Sequence, residues 1–482
     1  MCEKGLIGDK YNVLSQEEIE KIHKSSLWVL EEVGVRADDD HFLTLFEQAG
    51  ANVNKSERVV KLPPNMVEEF VAMAPEEILL AGRDPENDLL LGGRRVYLGT
   101  GGAAIHILDL ETGKLRSPVL QDQYDLAWLT ENLDNVHFFQ CPVVCTDIPK
   151  EIVSINSFYA ALAGTRKNVQ ESATTPQAAK DIIEMAAMIA GDEEALRERP
   201  FISFVTSWMI SPLKLDIGTS RVLETVASHG IPVALSSAPV TGSTAPATLA
   251  GLLTLVHAEE LFGIVLALII REGAPVLYGP VPAVADMRNM AYLGGAVETG
   301  MMNAAAVQMA NYINVPIYSD AGQTDSKLPD IQAGYEKAAN IFQVALAGGN
   351  YIHHAAGMLE SMLTVSYEQF VIDNDINGMV LRALRGIEVN DDTLALDVIK
   401  AVGPGGNYLT QRHTLKYARS DEFYIPTGAD RNSRIAWEEE GGKDARERAR
   451  EIARGILNQE RPQLIPAKID SRIRHRFDIC LP

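Results

Sequence analysis

The densest group of polar residues in the chain that could do chemistry lies in residues 320–327, with the sequence DAGQTDSK. Its polar side chains include Asp320, Gln323, Asp325 and Lys327. Two adjacent histidines, His353 and His354, end a later apolar run. Carboxylates and imidazoles bind metal ions and transfer protons. These residues are therefore candidates for binding a polar substrate or for metal-dependent chemistry.

Three aromatic side chains stand at the ends of three other short apolar runs: Trp208, Tyr278 and Tyr318. Aromatic faces attract quaternary ammonium groups through the cation–π interaction. The three positions together predict a pocket for an organic cation. Packing in the core is the alternative interpretation for each ring.

The spacing of the two histidines helps to decide whether the chain binds a metal ion. Adjacent residues of a strand point to opposite faces, so we expect at most one of His353 and His354 to face the interior. A metallohydrolase barrel would use an H-x-H pair, which the sequence lacks. We therefore expect no bound metal in this chain. The alternative is a metal-dependent hydrolase or lyase that uses Asp320, Asp325 and one histidine.

From about Phe138 onward, short apolar runs alternate with long helical patterns, which is typical of a parallel sheet covered by helices. The seven runs are Phe138–Thr146, Asn168–Ser172, Phe201–Ser207, Pro232–Ser237, Pro275–Tyr278, Val315–Ser319 and Tyr351–His354. We expect an eighth strand between Leu363 and Arg382, which would close a (β/α)8 TIM barrel. An open, doubly wound sheet is the alternative, but no glycine-rich phosphate loop follows the first run. In a barrel, the active site lies at the carboxyl ends of the strands.

The sequence divides into three regions. Residues 1–135 predict N-terminal helices and a small antiparallel sheet, with a capping box at Ser15 and Glu18 and a hairpin turn at residues 111–114. Residues 136–400 predict the barrel. Residues 401–482 predict a helical extension, including a charge-rich helix from Asp444 to Gln459.

Charge and hydropathy exclude several classes of function. The 482-residue chain has a net charge of −22, so it would repel a nucleic acid. The most apolar helical stretch, Thr248–Arg271, contains His257, Glu259 and Glu260, so we expect no membrane span. No signal-peptide pattern opens the sequence, and we expect a cytoplasmic protein.

The four cysteines are Cys2, Cys141, Cys145 and Cys480, too few for a disulfide framework. Cys141 and Cys145 are four residues apart in an apolar run. No further zinc-ligand pattern accompanies them. We therefore expect the two to be buried free thiols.

Several motifs, in order, resemble the trimethylamine methyltransferase family. They are APVTGSTAPATLAG at residues 238–251, SD, TDSK and DIQAG within residues 319–334, GPGGNYL at 403–409, HTL at 413–415 and DR at 430–431. The resemblance runs from the Ser15 helix to the Asp444 helix. It implies a (β/α)8 barrel that transfers a methyl group from an amine to the cobalt of a corrinoid (cobalamin). It also implies that a separate corrinoid protein carries the acceptor, since this chain has no D-x-H-x-x-G motif. A homo-oligomer is expected as well.

Members of this family that act on trimethylamine carry pyrrolysine, whereas this sequence contains only the twenty standard residues. The chain therefore resembles the branch that acts on quaternary amines. Glycine betaine is the first expected substrate, and carnitine and proline betaine are alternatives. A non-catalytic betaine-binding protein is a further alternative.

The predicted substrate site has three parts. The cation cage comprises Trp208, Tyr278 and Tyr318, with Tyr97 as an addition. The anchors for the polar end of the substrate are Asp320, Gln323, Asp325, Lys327 and the inward-facing member of His353 and His354. Glu360 balances the charge of the cation. No residue is assigned a catalytic role beyond positioning.

Overall fold

Eight parallel strands close into a barrel in the computed structural model, which describes residues 5–482. Barrel strands 1 to 8 are Arg95–Thr100, Phe138–Gln140, Asn168–Glu171, Ile202–Thr206, Val233–Ser237, Val276–Pro280, Tyr318–Asp320 and Tyr351–Ala356. Each strand pairs in parallel with the next, and strand 8 pairs with strand 1. Strands 6 and 7 meet at the bridge between Tyr278 and Ile317. The predicted (β/α)8 barrel is confirmed.

One strand lies elsewhere than predicted. Strand 1, Arg95–Thr100, comes from the region assigned to the N-terminal antiparallel sheet, upstream of Phe138. The stretch from Leu363 to Arg382, expected to hold the eighth strand, contains the short strand Thr364–Ser366 and then enters the helix Tyr367–Arg385. Strand 1 pairs with strand 8, which lies far away in the sequence, and local sequence patterns do not predict such a pairing.

A helix follows each barrel strand. In chain order these helices are Leu120–Glu131, Val153–Gly164, Pro176–Ala190, Ile217–His229, Leu249–Ile270, Val297–Tyr312, Ile331–Ala347 and Tyr367–Arg385. The additional short helix Glu193–Glu198 precedes strand 4. The helices bury apolar residues against the outside of the barrel, as expected for parallel strands covered on their outer face.

The helix Leu249–Ile270 is long and apolar enough to cross a membrane. In the fold, however, 83% of its most apolar 18-residue window is buried inside the protein. It packs between the barrel and the N-terminal helices. This is the arrangement of a core helix.

The N-terminal region forms helices and small sheets. Its helices are Gln16–Trp28, Asp40–Gln48 and Pro64–Val71, and the predicted Ser15–Glu18 capping box is present.

Short strands outside the barrel occur along the whole chain. They are Leu6–Ile7, Val35–Arg36, Asn52–Asn54, Val59–Lys61, Glu77–Leu80, Leu89–Gly92, His106–Leu108, Leu115–Arg116, Met209–Ile210, Lys214–Leu215, Met358–Leu359 and Thr364–Ser366. The hairpin predicted around residues 111–114 joins His106–Leu108 to Leu115–Arg116.

The last part of the chain is helical. Its helices are Asp391–Leu394, Leu396–Val402, Arg412–Tyr417, Arg434–Glu439, Ala445–Leu457 and Ala467–Arg476. Asp444 caps the charge-rich helix predicted there. The helices between residues 391 and 439 contain no fully buried side chain.

A hairpin fills the amino end of the barrel. Its strands, Glu77–Leu80 and Leu89–Gly92, place Leu80 and Leu91 against inward-facing Phe138 and Tyr351. The backbone of Ala81, next to the hairpin, bonds to Pro200 and Asn168 where strands 4 and 3 begin. This end of the lumen is therefore closed by apolar packing, and the open part of the barrel lies at the carboxyl ends of the strands.

Candidate active site

A cavity of about 390 Å³ opens at the carboxyl ends of the barrel strands. Its wall includes Gln140, Cys141, Glu171, Tyr318, His353 and His354. These residues come from strands 2, 3, 7 and 8 and from the segment just after strand 2. The position agrees with the general location of active sites in (β/α)8 barrels.

His353 and His354 both reach the cavity, which corrects the expectation that at most one would. His354 has a φ of 63°, outside the extended range, and the register of strand 8 shifts between Ile352 and Ala356. This irregularity breaks the alternation of a regular strand and turns the second ring inward. Gly101 makes room, since a Cβ there would lie 2.0 Å from Cδ2 of His354.

Hydrogen bonds hold His354 on both sides of its ring. Nδ1 lies 2.7 Å from Oδ1 of Asp320, and Nε2 lies 3.1 Å from the carbonyl oxygen of Gly102. Both partners are acceptors, so a protonated ring that donates from both nitrogens satisfies the geometry. His354 is thus held from both sides at the edge of the cavity.

Asp320 is held in place by further bonds. Gln323 donates from Nε2 to Oδ2 of Asp320 at 2.5 Å, and the hydroxyl of Tyr292 donates to Oε1 of Gln323 at 2.8 Å. The amide of Asp320 donates to Oδ1 of Asn303 on the preceding helix, Val297–Tyr312. The structure therefore brings together Asp320, Gln323 and His354, with the first two behind the cavity wall.

His353 lies beside this group and is less constrained. Its ring stacks on Tyr318 at a centroid distance of 3.9 Å with an interplanar angle of 13°. Neither ring nitrogen has a hydrogen-bond partner, although the side chain is buried. Burial holds the pKa of His353 well below its usual value. The neutral ring offers one unused donor and one unused acceptor to a ligand.

One group of ligand atoms could hold a metal ion. An oxygen of Asp320 and one ring nitrogen each of His353 and His354 lie within 4.8 Å of one another. Asp320 and His354 are already bonded to each other, and the second nitrogen of His354 faces Gly102. Their hydrogen bonds account for both side chains, and the unpartnered nitrogens are those of His353.

The predicted cation cage does not form. Trp208 is fully buried and stacks on Phe262 of the helix Leu249–Ile270, outside the barrel. The hydroxyl of Tyr278 lies 2.9 Å from Nδ1 of His257 on the same helix. Tyr97 lies against the hairpin at the amino end. Of the four rings, Tyr318 lines the cavity, and His353 covers one of its faces.

Three other predicted site residues form loop contacts. Oδ1 of Asp325 accepts from the amide of Gly294 and from the Ser361 hydroxyl. Lys327 is exposed and donates to the carbonyl of Asp325 rather than to its carboxylate. Glu360 accepts from Thr364 at 2.8 Å. None of Asp325, Lys327 and Glu360 is among the residues that line the cavity.

Sequence reasoning missed Glu171, the last residue of strand 3 and part of the cavity wall. Burial is the main cause that raises its pKa to about 8, and its neighbours Ser157 and Cys141 oppose the rise. Its Oε2 is buried without a hydrogen-bond partner. Its position at a strand end was the available signal, since the predicted run Asn168–Ser172 already places it there.

Gln140, the last residue of strand 2, was also missed. Its Nε2 donates to the hydroxyl of Tyr318 at 3.0 Å across the lumen. Cys141 and Cys145 are buried free thiols, as predicted, whereas Cys480 is exposed and Cys2 lies outside the described residues. Burial raises the pKa of the Cys141 thiol, so it is held neutral.

The family model described as "Trimethylamine methyltransferase (MTTB)" matches residues 6–478. The chain belongs to the trimethylamine methyltransferase family. The match covers the hairpin, the barrel and the C-terminal helices together, so membership applies to the whole fold. As a member of the family, the chain is an enzyme, an amine methyltransferase.

Two relatives in the trimethylamine methyltransferase family come from Desulfitobacterium hafniense. The trimethylamine methyltransferase MttB of strain DSM 10664 / DCB-2 is 37% identical over 460 residues, 95% of this chain and 92% of the relative. The glycine betaine methyltransferase of strain Y51 is 34% identical over 472 residues, 98% of this chain and 97% of the relative.

The fold of this family member is similar to one solved structure of a different amine methyltransferase. The crystal structure of the hydroxylamine MtmB complex matches with a TM-score of 0.53 and 14% identity, covering 92% of this chain and 88% of the other. At this identity the similarity establishes the shared fold.

Proposed function

We propose that this enzyme transfers one methyl group from a quaternary amine, glycine betaine first, to the cobalt of a corrinoid carried by a separate protein. The observation that carries the proposal is the cavity at the carboxyl end of the barrel, with one carboxyl group and two histidines on its wall, in a chain that aligns over 98% of its length with a glycine betaine methyltransferase. The sequence contains only standard residues, in keeping with a quaternary amine rather than trimethylamine. Carnitine and proline betaine are the alternative substrates.

The reaction requires no proton transfer. The bond between nitrogen and one methyl carbon breaks, and its electron pair stays on nitrogen, which leaves as a neutral tertiary amine. The methyl carbon forms a new bond with the electron pair of the reduced corrinoid acceptor. The protein therefore has to bind the amine, exclude water and direct one methyl group outward. The product from glycine betaine is dimethylglycine, which does not react further.

The acceptor has to approach from outside the barrel. The chain has no D-x-H-x-x-G motif that would hold a corrinoid, so a partner protein brings it to the open end. The cavity lies at this end, while the hairpin fills the opposite one. The proposed location of the enzyme and its partner is the cytoplasm, and neither a nucleic acid nor a membrane is a proposed partner.

We further propose that the enzyme is a homo-oligomer. The segment 387–435 exposes several large apolar side chains, among them Ile387, Leu409, Phe423, Ile425 and Ile435. Exposed apolar patches of this kind are typical of protein interfaces. Sedimentation velocity measures the mass in solution, and charged substitutions at Leu409 and Ile425 should lower it towards that of one chain.

Spectroscopy of the corrinoid tests the proposed reaction. Purified enzyme is mixed with cob(I)alamin, or with a reduced corrinoid protein, and methylcobalamin formation is followed for a panel of amines. The panel comprises glycine betaine, carnitine, proline betaine, choline and trimethylamine. Methylation by a quaternary amine supports the proposal. Methylation by trimethylamine alone contradicts it, and tight calorimetric binding without turnover favours a betaine-binding protein.

A further inference from the structure

We propose that Glu171 is the counter-charge for the ammonium group of the substrate, and that its carboxyl group releases a proton to solvent when the cation binds. The inference rests on the proposed function and names the residue that recognises the cation. It replaces the aromatic cage, whose rings lie mainly outside the cavity.

The charge distribution of the wall singles out Glu171. Among the described residues that line the cavity, it is the one carboxyl group, and none is a lysine or an arginine. A bound cation therefore meets no competing positive charge from lysine or arginine, and Glu171 is the acidic group available to balance it. The carboxylates of Asp320 and Asp325 are bonded to other groups of the protein.

The surroundings of Glu171 compensate its ionised form only in part, because hydrogen bonds from Ser157 and Cys141 lower its pKa by less than burial raises it. Oε2 is buried and has no hydrogen-bond partner. Its near neighbours are neutral: Ser157 on the helix after strand 2 and the thiols of Cys141 and Cys145. Burying a charge without a partner is costly, so the empty cavity favours the protonated carboxyl group. A cation in the cavity supplies the missing opposite charge and favours the carboxylate.

The topology of the barrel orients the rest of the ligand. Glu171 ends strand 3, and Tyr318 is on strand 7, four strands away in a closed barrel of eight. They therefore lie across the lumen from each other. His353 stacks on Tyr318, and the ring of His354, a hydrogen-bonding group, lies beside it. The negative end of a zwitterion fits the histidine side while its ammonium end faces Glu171.

Proton release follows from the pKa of the empty site. The pKa of Glu171, raised to about 8, keeps the carboxyl group mostly protonated at neutral pH. Four other titratable groups on the cavity wall do not change charge there, because burial raises the pKa values of Cys141, Cys145 and Tyr318 and lowers that of His353. The remaining one, His354, is hydrogen-bonded to Asp320 and to the carbonyl group of Gly102. Affinity for the cation should therefore rise with pH and level off above about pH 8.

Calorimetry with the intact enzyme and without corrinoid tests this inference. Glycine betaine is titrated at pH 7 in two buffers of different ionisation enthalpy, phosphate and Tris. The wild type should release close to one proton per ligand bound. Glu171→Gln, which keeps the shape of the side chain, should release none and bind about 30-fold more weakly or worse. Glu272→Gln, at an exposed carboxylate distant from the barrel mouth, should behave as wild type.

A carbon isostere of the substrate gives a second measurement. In 3,3-dimethylbutanoate a neutral carbon replaces the ammonium nitrogen, while shape and carboxylate are kept. Wild type should discriminate strongly between the two ligands, and Glu171→Gln should lose most of that discrimination even if its fold is slightly perturbed. Equal discrimination in both proteins would overturn the inference, and so would the absence of betaine binding by the wild type.

The inference and the proposed function fail in different ways. Proton-coupled binding without methyl transfer to the corrinoid retains the role of Glu171 as the counter-charge and contradicts the proposed reaction. Methyl transfer with the same KM in wild type and Glu171→Gln retains the reaction and contradicts the role of Glu171.

Discussion

Oδ1 of Asp320 lies 2.7 Å from Nδ1 of His354, and this contact fixes the imidazole ring at the edge of the cavity. The same carboxylate accepts from Gln323, so its position is set from two directions. Asp320 is buried and is not part of the cavity wall. We therefore propose that Asp320 acts on a ligand through His354.

Substitution of Asp320 tests this positioning role. Asp320→Asn replaces the carboxylate that orients the His354 ring by a neutral amide, and we expect kcat/KM for methyl transfer to fall about 10- to 100-fold. Steady-state kinetics with glycine betaine and the corrinoid acceptor give the value. Asp181→Asn, on the exposed face of the helix Pro176–Ala190, is the control. Unchanged kinetics in Asp320→Asn would show that His354 needs no such partner.

Substitution of Gly101 tests how much space the ring of His354 needs. A Cβ at this position would lie 2.0 Å from the histidine ring, so Gly101→Ala must displace the ring. We expect a loss of methyl transfer of about tenfold or more and a stability cost of about 1–3 kcal/mol. Gly334→Ala, in a helix with no atom near the added Cβ, should leave activity intact and stability equal or slightly higher. Urea unfolding and kinetics together measure both effects.

Lys337 and Asp373 form a fully buried ion pair, 3.1 Å apart, outside the cavity. Lys337 also donates to the carbonyl groups of Gly322 and Met358. Lys337→Met leaves Asp373 buried without its partner, and we expect a loss of about 3–5 kcal/mol in unfolding free energy. The double variant Lys337→Met, Asp373→Leu should recover part of that loss. Chemical denaturation of the single and double variants measures the difference, and an additive double variant would contradict coupling.

The pKa of Glu171 predicts a pH dependence of stability in the ligand-free enzyme. The folded state raises this pKa from about 4.5 to about 8, so between these values it binds more protons than the unfolded state. The contribution of Glu171 to the unfolding free energy is therefore full below about pH 4.5 and is lost as the pH rises towards 8. Relative to wild type, Glu171→Gln should gain stability as the pH rises from about 4.5 to about 8 in urea unfolding. A difference in unfolding free energy between the two proteins that does not change with pH would show that the pKa of Glu171 is not raised.

Removal of metal ions separates methyl transfer from metal-dependent chemistry. The hydrogen bonds of Asp320 and His354 already account for two of the three clustered side chains. We expect the enzyme to keep its betaine-dependent activity after treatment with EDTA, with less than one metal ion per chain by elemental analysis. Loss of activity that Zn²⁺ restores would instead favour a metal site at Asp320, His353 and His354.

Local patterns in the sequence predicted most of the barrel. Seven strands and their helices follow from alternating apolar runs, because strands and helices have different periods. Strand 1 was not predicted as a barrel strand, because its partner, strand 8, lies far away in sequence. The helix Tyr367–Arg385 was ambiguous because many of its buried positions are polar, such as Asp373 and Asn377.

Only part of the site was predicted from the sequence, because contacts inside the barrel depend on the register of its strands. Tyr318, Asp320, Gln323 and both histidines lie at one end of the barrel, as their positions at strand ends indicated. Which face a residue occupies depends on register, which the sequence does not report. Trp208 comes just after strand 4 and Tyr278 lies in strand 6. Both side chains nevertheless point towards the helix Leu249–Ile270 rather than into the lumen.

The hairpin that fills the amino end of the barrel has a kinetic consequence. With that end packed, the proposed reaction requires the amine and the corrinoid protein to share the carboxyl end of the barrel, where the cavity opens. A bound partner protein would cover the entrance, so the amine must enter before the partner docks. The tertiary amine can then leave after the partner departs. The enzyme should follow a compulsory order, with the amine binding first and its demethylated product released last.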